Sequence, residues 1–510
     1  MTHSDGGSGG IARPTSMMPI VLGIMVIGAV LRLYDLSANS LWTDELRSLT
    51  HAAEITSLGN AFATDAVLRT GDAHPPLYFL LLKGWLTLGT GAFTLRLLSA
   101  IIGVLTIPAT FLLAREVVDR RAAAISSAFV ALSPLLLLHD REVRGYALFV
   151  FLTVVTTLLF FRAVRLNQGR YWVGFTIAAI LNIYTHYHAF LVLASLWVWL
   201  LLDGKEQRNI WLKFGVSQVV IAVAYLPWLP VLVAHIELFS TLGDGAPKFP
   251  FIWGKIAKPP YLAFSFAVGQ TVLPWNWWVV VPAAGVFGAI TWQAVCASLQ
   301  SRVKRQFIIA LLITPVVLGI LISEVVPRYF VFVFPAFAVF AADGLTQFTR
   351  GGVRLGALIV LAIVWSVSIG NYYLGREFHV LATTDPWREV ADFIRENRSE
   401  PDLLIASGPG RVIGYYVDPP VIFRDEVVVE DLDVSEGQRI WYVFASPMRA
   451  EEGESALSVL MDRYVLRFEE RFGHDPSYAT KARLFKKRFF EYRIRVFLFE
   501  AVTPVSTVPS

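Results

Sequence analysis

Apolar runs of about 17 to 25 residues recur along most of the chain, separated by short charged connectors, and this pattern constrains the fold more than any other feature. A helix of that length crosses about 30 Å of hydrocarbon. Candidate spans fall at roughly 17–36, 93–114, 122–138, 145–162, 171–185, 188–202, 214–234, 275–299, 307–324, 329–348 and 354–373, about eleven transmembrane helices in all. With 55% of its residues hydrophobic and 16% charged, a water-soluble chain of 510 residues would lack the polar side chains to cover its surface. The expected fold class is a polytopic α-helical membrane protein. The single cysteine, Cys296, sits in an apolar run and allows no intramolecular disulfide.

The connectors carry an orientation. Residues 1–16 read as a flexible cytoplasmic N-terminus, and the run after them lacks a small-residue cleavage site before Arg32, so it is expected to stay as a first span. With that terminus inside, the alternate connectors holding Arg120, Arg165, Lys213, Arg305 and Arg354 are also inside, as the positive-inside rule requires. The net charge of +4 arises from these spaced residues and gives no reason to expect nucleic acid. Residues 17–375 form the transmembrane module. Its first outer loop, 36–91, contains the apolar run Leu77 to Leu88, too short to span and bounded by Pro75-Pro76, Gly89 and Gly91, which predicts a helix along the interface. The segment 235–274 reads as an outer loop whose Phe249, Phe251, Trp253 and Tyr261, with Lys248, Lys255 and Lys258, form an interfacial segment, and Trp275, Trp277 and Trp278 read as an aromatic belt. Residues 376–510 are expected to be a small extracytoplasmic α/β domain, with an amphipathic helix from Trp387 to Asn397 and strands near 402–406, 440–444 and 494–499. Ser407 to Gly410 reads as a turn, and Lys481 to Arg495 as a solvated basic face or as a stretch beside anionic headgroups.

Three outer segments hold the ionisable residues. Asp44-Glu45 follows the first span, His74-Pro-Pro-Leu-Tyr78 opens the interfacial helix, and His139-Asp-Arg-Glu-Val-Arg-Gly-Tyr146 fills the next outer connector. A lone acidic pair would be explained by an ordinary hydrated loop. Charges near span ends, however, usually face a cavity or a partner, and these segments offer carboxylates, arginines and histidines to one cleft. His74, His139, His186 and His188 with Asp44 or Glu142 leave a divalent metal open as an alternative, although no tight ligand spacing such as His-x-x-x-His is present.

This order of motifs resembles the C-type (GT-C) membrane glycosyltransferases of bacteria, related to protein O-mannosyltransferases and to the enzyme that transfers aminoarabinose to lipid A. The resemblance covers most of residues 20 to 350: Asp44-Glu45, His74 to Tyr78, Gly91 to Leu97 with Arg96, Glu142-Val-Arg144-Gly-Tyr146, Tyr184-Thr-His186-Tyr187 and Pro327-Arg328-Tyr329. It implies the GT-C fold and an inverting hexosyl- or pentosyltransferase that moves a sugar from a polyprenyl-phosphate donor to an acceptor hydroxyl at the outer face. Asp44 is then the expected general base, with Glu45 orienting it or the acceptor. Arg144 and Arg328, with His74 and His186, are the expected binders of the departing phosphate. Glu142 is expected to hold Arg144 or to contact sugar hydroxyls, and Tyr146 and Tyr329 to face the sugar. The implied partners are the lipid-linked donor, membrane lipids and an acceptor glycan, lipid or protein. No cofactor is implied as required, and the implied setting is a bacterial inner membrane with the C-terminal domain periplasmic or extracellular. The competing reading is a lipid-glycan flippase or transporter. Against it, the halves show no internal repeat and the charges lie at outer span ends.

Overall fold

The computed structural model describes residues 17–69, 72, 74–204, 208–242, 251–322, 326–377, 384–406, 410, 412–417, 421–423, 434–435, 437–445, 450–474 and 491–501. The expectations for residues 1–16, for 407–409 of the turn, for 481–490 of the basic stretch and for the side chains of 248–258 lie outside them.

Each of the apolar runs is helical. Ala92–Ala114, Tyr146–Leu166, Arg208–Glu237, Trp277–Gln300, Arg302–Ile322 and Gly351–Tyr373 are long and apolar enough to cross a membrane, and the protein is a multi-pass membrane protein. Arg120–Leu132 and Pro134–Asp140, bent by 55°, make a further span if taken together. Met18–Leu33, Gly169–Ile183 and Ala189–Asp203 are shorter helices in the remaining runs. The run at 329–348 starts as 3-10 turns at Pro327–Tyr329 and Val331–Val333 before the helix Phe334–Thr346. One expectation changes: the stretch read as a loop is largely helical, at Leu229–Leu242 and Phe251–Val268. Pro227 and Pro230 do not end the helix, because a single 3-10 turn, Leu226–Trp228, places them where no intrahelical N–H is needed.

A buried ion pair ties the bent span to the first helix. Pro134 has no N–H to offer the carbonyl of Val130, and the bend at Ser133 opens that turn. Arg32, fully buried, donates to Val130 O at 3.1 Å and Ala131 O at 3.0 Å and pairs with Asp140 at 2.8 Å. Asp140 in turn lies against Gly103, where a Cβ would collide with its carboxylate. An arginine in a span is tolerated here because every part of its charge is matched inside the protein.

Outside the bundle, the first loop folds as helices Thr43–Glu54, Leu58–Ala61, Thr64–Arg69 and Leu77–Trp85. The last occupies the short apolar run: Tyr78, Phe79 and Leu82 are buried in a cluster with Leu95 and Leu98, and Leu81 is exposed. Beyond the final span, five strands form one sheet: β1 (Leu403–Ala406), β2 (Val421–Phe423), β3 (Arg439–Ala445), β4 (Val465–His474) and β5 (Tyr492–Glu500). The order is β2-β1-β3-β5-β4, with β1 parallel to β2 and β3, and β5 antiparallel to β3 and β4. β3 reads Ile-Trp-Tyr-Val-Phe-Ala after Arg439 because both its faces are covered, one by the helix Trp387–Asn397 and the other by the helix Ala450–Arg463.

Candidate active site

The neighbours Asp44 and Glu45 meet different fates. Glu45 is fully buried: Arg96 donates to it twice, Nε to Oε1 and Nη2 to Oε2, each at 2.8 Å. The backbone N–H groups of Val143 and Trp42 donate to the same carboxylate at 3.0 and 3.2 Å. Its valence is spent on joining the first loop, the second span and the second outer connector, so it has no oxygen left to orient Asp44 or an acceptor. This replaces the expected orienting role with a structural one.

Asp44, one residue earlier at the N-terminus of its helix, keeps its carboxylate at the surface of the cleft. Arg328, 284 residues away, donates from Nη1 to Oδ2 at 3.0 Å, and Arg47 lies 3.5 Å from Oδ1. Its side chain is 16% exposed and that of Arg328 is 29% exposed, so solvent or a ligand reaches both. Arg328 Nε has no hydrogen-bond partner among the described residues, and the guanidinium lies over the Tyr329 ring at 5.3 Å.

The connector from His139 to Arg144 is mostly consumed by structure. Asp140 holds Arg32, and Arg141 donates to Leu31 O, Tyr34 O and Asp35 O, closing the C-terminus of the first helix. Glu142 takes His139 Nδ1 at 3.1 Å, so it does not hold Arg144 as the sequence reading allowed. Arg144 instead pairs with Asp72, a carboxylate the sequence reading passed over, and donates to Ser48 Oγ and the Asp44 carbonyl at 3.0 and 3.1 Å. Burial favours the neutral acid at Asp72, but the Arg144 and His74 charges outweigh it and hold this carboxyl well below the usual range. The 2.6 Å approach of His74 Nδ1 to Asp72 requires the proton on Nδ1, so Arg144 Nη2 at 3.1 Å is a neighbour of that nitrogen and not its donor.

Beside this pair lies an aromatic cluster. The His186 ring is 5.2 Å from His74, 5.0 Å from His188, 6.0 Å from Tyr146 and 6.1 Å from Tyr329, and it stacks on Phe149 at 4.6 Å. Burial, with the nearby His188, His74 and Arg144 charges, lowers the His186 pKa well below that of a free histidine. The ring is therefore neutral, and Nδ1 accepts from the His188 backbone N–H at 3.1 Å. Its one proton then sits on Nε2, a buried donor with no partner among the described residues. Tyr146 is buried within the cluster, whereas Tyr329 is only partly buried and presents its ring beside Arg328. Among the described residues, no group of three or more His, Cys, Asp or Glu side chains is arranged to hold a metal ion. The structure thus brings Asp44, Arg328, Tyr329, Arg144, His74, Tyr146 and His186 to one cleft and leaves Glu45 and Glu142 beneath it.

A family model described as dolichyl-phosphate-mannose-protein mannosyltransferase matches residues 73–233. Comparison with curated proteins finds no match. Among solved structures, the crystal structure of ArnT from Cupriavidus metallidurans in the apo state is similar over 94% of this chain and 98% of its own, with 15% identity and a TM-score of 0.56. The same protein bound to undecaprenyl phosphate gives 16% identity and a TM-score of 0.55 over the same shares. The Archaeoglobus fulgidus oligosaccharyltransferase in its apo form is similar over 96% of this chain and 75% of its own, with 14% identity and a TM-score of 0.54. The chain thus shares its fold over nearly its whole length with these membrane glycosyltransferases, and the family match covers its second and third outer segments.

Proposed function

We propose that this protein transfers a sugar, with inversion, from a polyprenyl-phosphate donor to an acceptor hydroxyl at the outer face of a bacterial inner membrane. The observation that carries the reading is the partly exposed carboxylate of Asp44, paired with the partly exposed Arg328, while the nearby Glu45, Asp72, Asp140 and Glu142 are buried and engaged beneath it. Direct displacement at the anomeric carbon needs a base for the acceptor hydroxyl and charge for the departing phosphate. Asp44 takes the acceptor proton. Arg328 and the Nε2–H of His186 meet the phosphate oxygens, the first with a charge-assisted bond and the second with a neutral one. Arg144, fixed by Asp72, adds its positive charge from behind, and His74 orients within that pair. The ring of Tyr329 offers a face to the sugar. The ArnT relative bound to undecaprenyl phosphate supports a polyprenyl phosphate as the lipid carrier. The acceptor is a hydroxyl of a glycan, lipid or protein.

The test is transfer of radiolabelled sugar from synthetic undecaprenyl-phosphate donors by the purified protein in lipid. Transfer or slow donor hydrolysis is the expected result; movement of intact lipid between leaflets without glycosidic cleavage would replace the transferase with a flippase.

A further inference from the structure

Between the first helix and the helix that carries Asp44, the chain crosses the outer face without regular secondary structure. A bare segment of this kind exposes one carbonyl per residue, and each needs a partner when it is packed against protein. Here seven consecutive carbonyls, from Tyr34 to Ser40, are all taken by three guanidinium groups. Arg141, from the second outer connector, takes Tyr34 O and Asp35 O at 2.6 and 2.9 Å. Arg96, from the second span, takes Leu36 O, Asn39 O and Ser40 O at 3.2, 2.8 and 3.0 Å. The remaining two, Ser37 O at 2.5 Å and Ala38 O at 3.1 Å, belong to Arg388 of the C-terminal domain, which also reaches Asn39 O at 3.4 Å.

The C-terminal domain grips the strap at two further points. The Arg388 backbone N–H donates to Ser40 Oγ at 3.2 Å, and the Leu41 N–H donates to the Tyr416 hydroxyl at 2.6 Å. Leu46, two residues beyond Asp44, packs against the core of the C-terminal domain, and Tyr415 donates to Thr90 O at 2.7 Å, just before the span that carries Arg96. The domain therefore holds the strap from Ser37 to Leu41 and packs on Leu46 just beyond Asp44. Two of the three arginines belong to the membrane module and the third does not, so the strap closes only with that domain seated.

We infer that the C-terminal domain is a positioning element of the active site, with Arg388 and Tyr416 fixing the strap 34–42 and, through it, the Asp44 carboxylate opposite Arg328. The functional half of this inference rests on the assignment of Asp44 as base; the mechanical half does not. Displacing the domain, by an acceptor or by a partner on its outer side, would loosen the strap and lower turnover without touching the donor groups.

Hydrogen exchange of the full-length protein in lipid nanodiscs reads the strap without any substrate. In Arg388→Ala, amides from Ser37 to Leu46 exchange about tenfold faster or more while the membrane helices keep their protection. Tyr416→Phe, which removes only the acceptor for the Leu41 N–H, shifts the same amides by less, and Arg388→Lys restores part of the protection. With undecaprenyl-phosphate mannose and undecaprenyl-phosphate aminoarabinose as probes, the Arg388→Ala kcat for the donor that turns over falls about a hundredfold at a donor KM near wild type, as a displaced base predicts. Unchanged strap exchange in both Arg388→Ala and Tyr416→Phe overturns the inference, as does a kcat loss with the strap still protected. An Asp44→Asn variant that keeps full turnover removes the base assignment alone, and the exchange data then still decide whether the domain holds the strap.

Discussion

Glu45 and Asp44 adjoin in sequence, yet they belong to two layers of the molecule with opposite electrostatics. In the lower layer, at the roots of the outer loops, Arg32–Asp140 and Arg96–Glu45 are buried pairs whose remaining valences go to backbone groups, and Arg144–Asp72, at the edge of the cleft, is closed by Ser48, His74 and the Asp44 carbonyl. In the upper layer, Asp44 and Arg328 face each other with their side chains partly exposed, and His186 Nε2 and Arg328 Nε have no partner among the described residues. The difference shows which charges assemble the fold and which remain for a ligand. A charge already matched on all sides offers little to a substrate, and a charge matched on one side offers much.

The largest effect that probes this division lies in the lower layer. Arg32→Leu strands the Asp140 carboxylate and frees the carbonyls of Val130 and Ala131, and it should destabilise the protein by about 3–5 kcal/mol. Thermal unfolding in detergent measures it. Arg32→Leu combined with Asp140→Leu should recover much of the loss, and a double variant no better than the single one would show that the pair holds nothing in common.

A smaller effect comes from His51, stacked on Phe79 at 4.0 Å below the cleft. Burial lowers its pKa to about 4, with the Asp72 charge opposing and the His74, His235 and Arg144 charges assisting. Because the unfolded chain binds this proton near pH 6.5 and the folded one only near 4, protonation favours unfolding. Stability is intact above pH 6.5 and falls as pH drops toward 4, by roughly 3 kcal/mol at most. His51→Gln should flatten that part of the stability profile; an unchanged slope would assign the acid sensitivity to other groups.

The upper layer should respond in binding and not in stability. Arg328→Ala is expected to weaken undecaprenyl phosphate about tenfold, the worth of one charge-assisted hydrogen bond, with the melting temperature close to wild type. Equal affinity in the variant would move the phosphate away from Arg328.

Much of this plan was legible in the sequence. The apolar runs fix helices wherever they occur, and the separate helix Leu77–Trp85 was readable from breakers on both sides of a run too short to span. The cleft was readable as a set of outer-end motifs, because Asp44, His74, Arg144, His186 and Arg328 all map to one face. Partner assignment was not. Whether Glu45 is a ligand for substrate or for Arg96 depends on a contact 51 residues away, and Glu142 is claimed by His139 and not by Arg144. Asp72 was missed for the same reason: a lone aspartate in a polar loop acquires meaning only when Arg144 reaches it. The helix Phe251–Val268 was hidden by Pro259 and Pro260, which a sequence reading takes as breakers.

One measurement bears most directly on the central claim that Asp44 is the carboxylate left for chemistry and Glu45 the one spent on structure. Transfer of radiolabelled sugar from synthetic undecaprenyl-phosphate donors would be followed for wild type and Asp44→Asn, alongside undecaprenyl phosphate binding and thermal unfolding, with Glu45→Gln as comparison. Asp44→Asn should lose about a hundredfold or more in turnover while keeping lipid binding and stability. Glu45→Gln should lose stability first. Asp44→Asn turning over like wild type, or losing its fold as Glu45→Gln does, would contradict that claim.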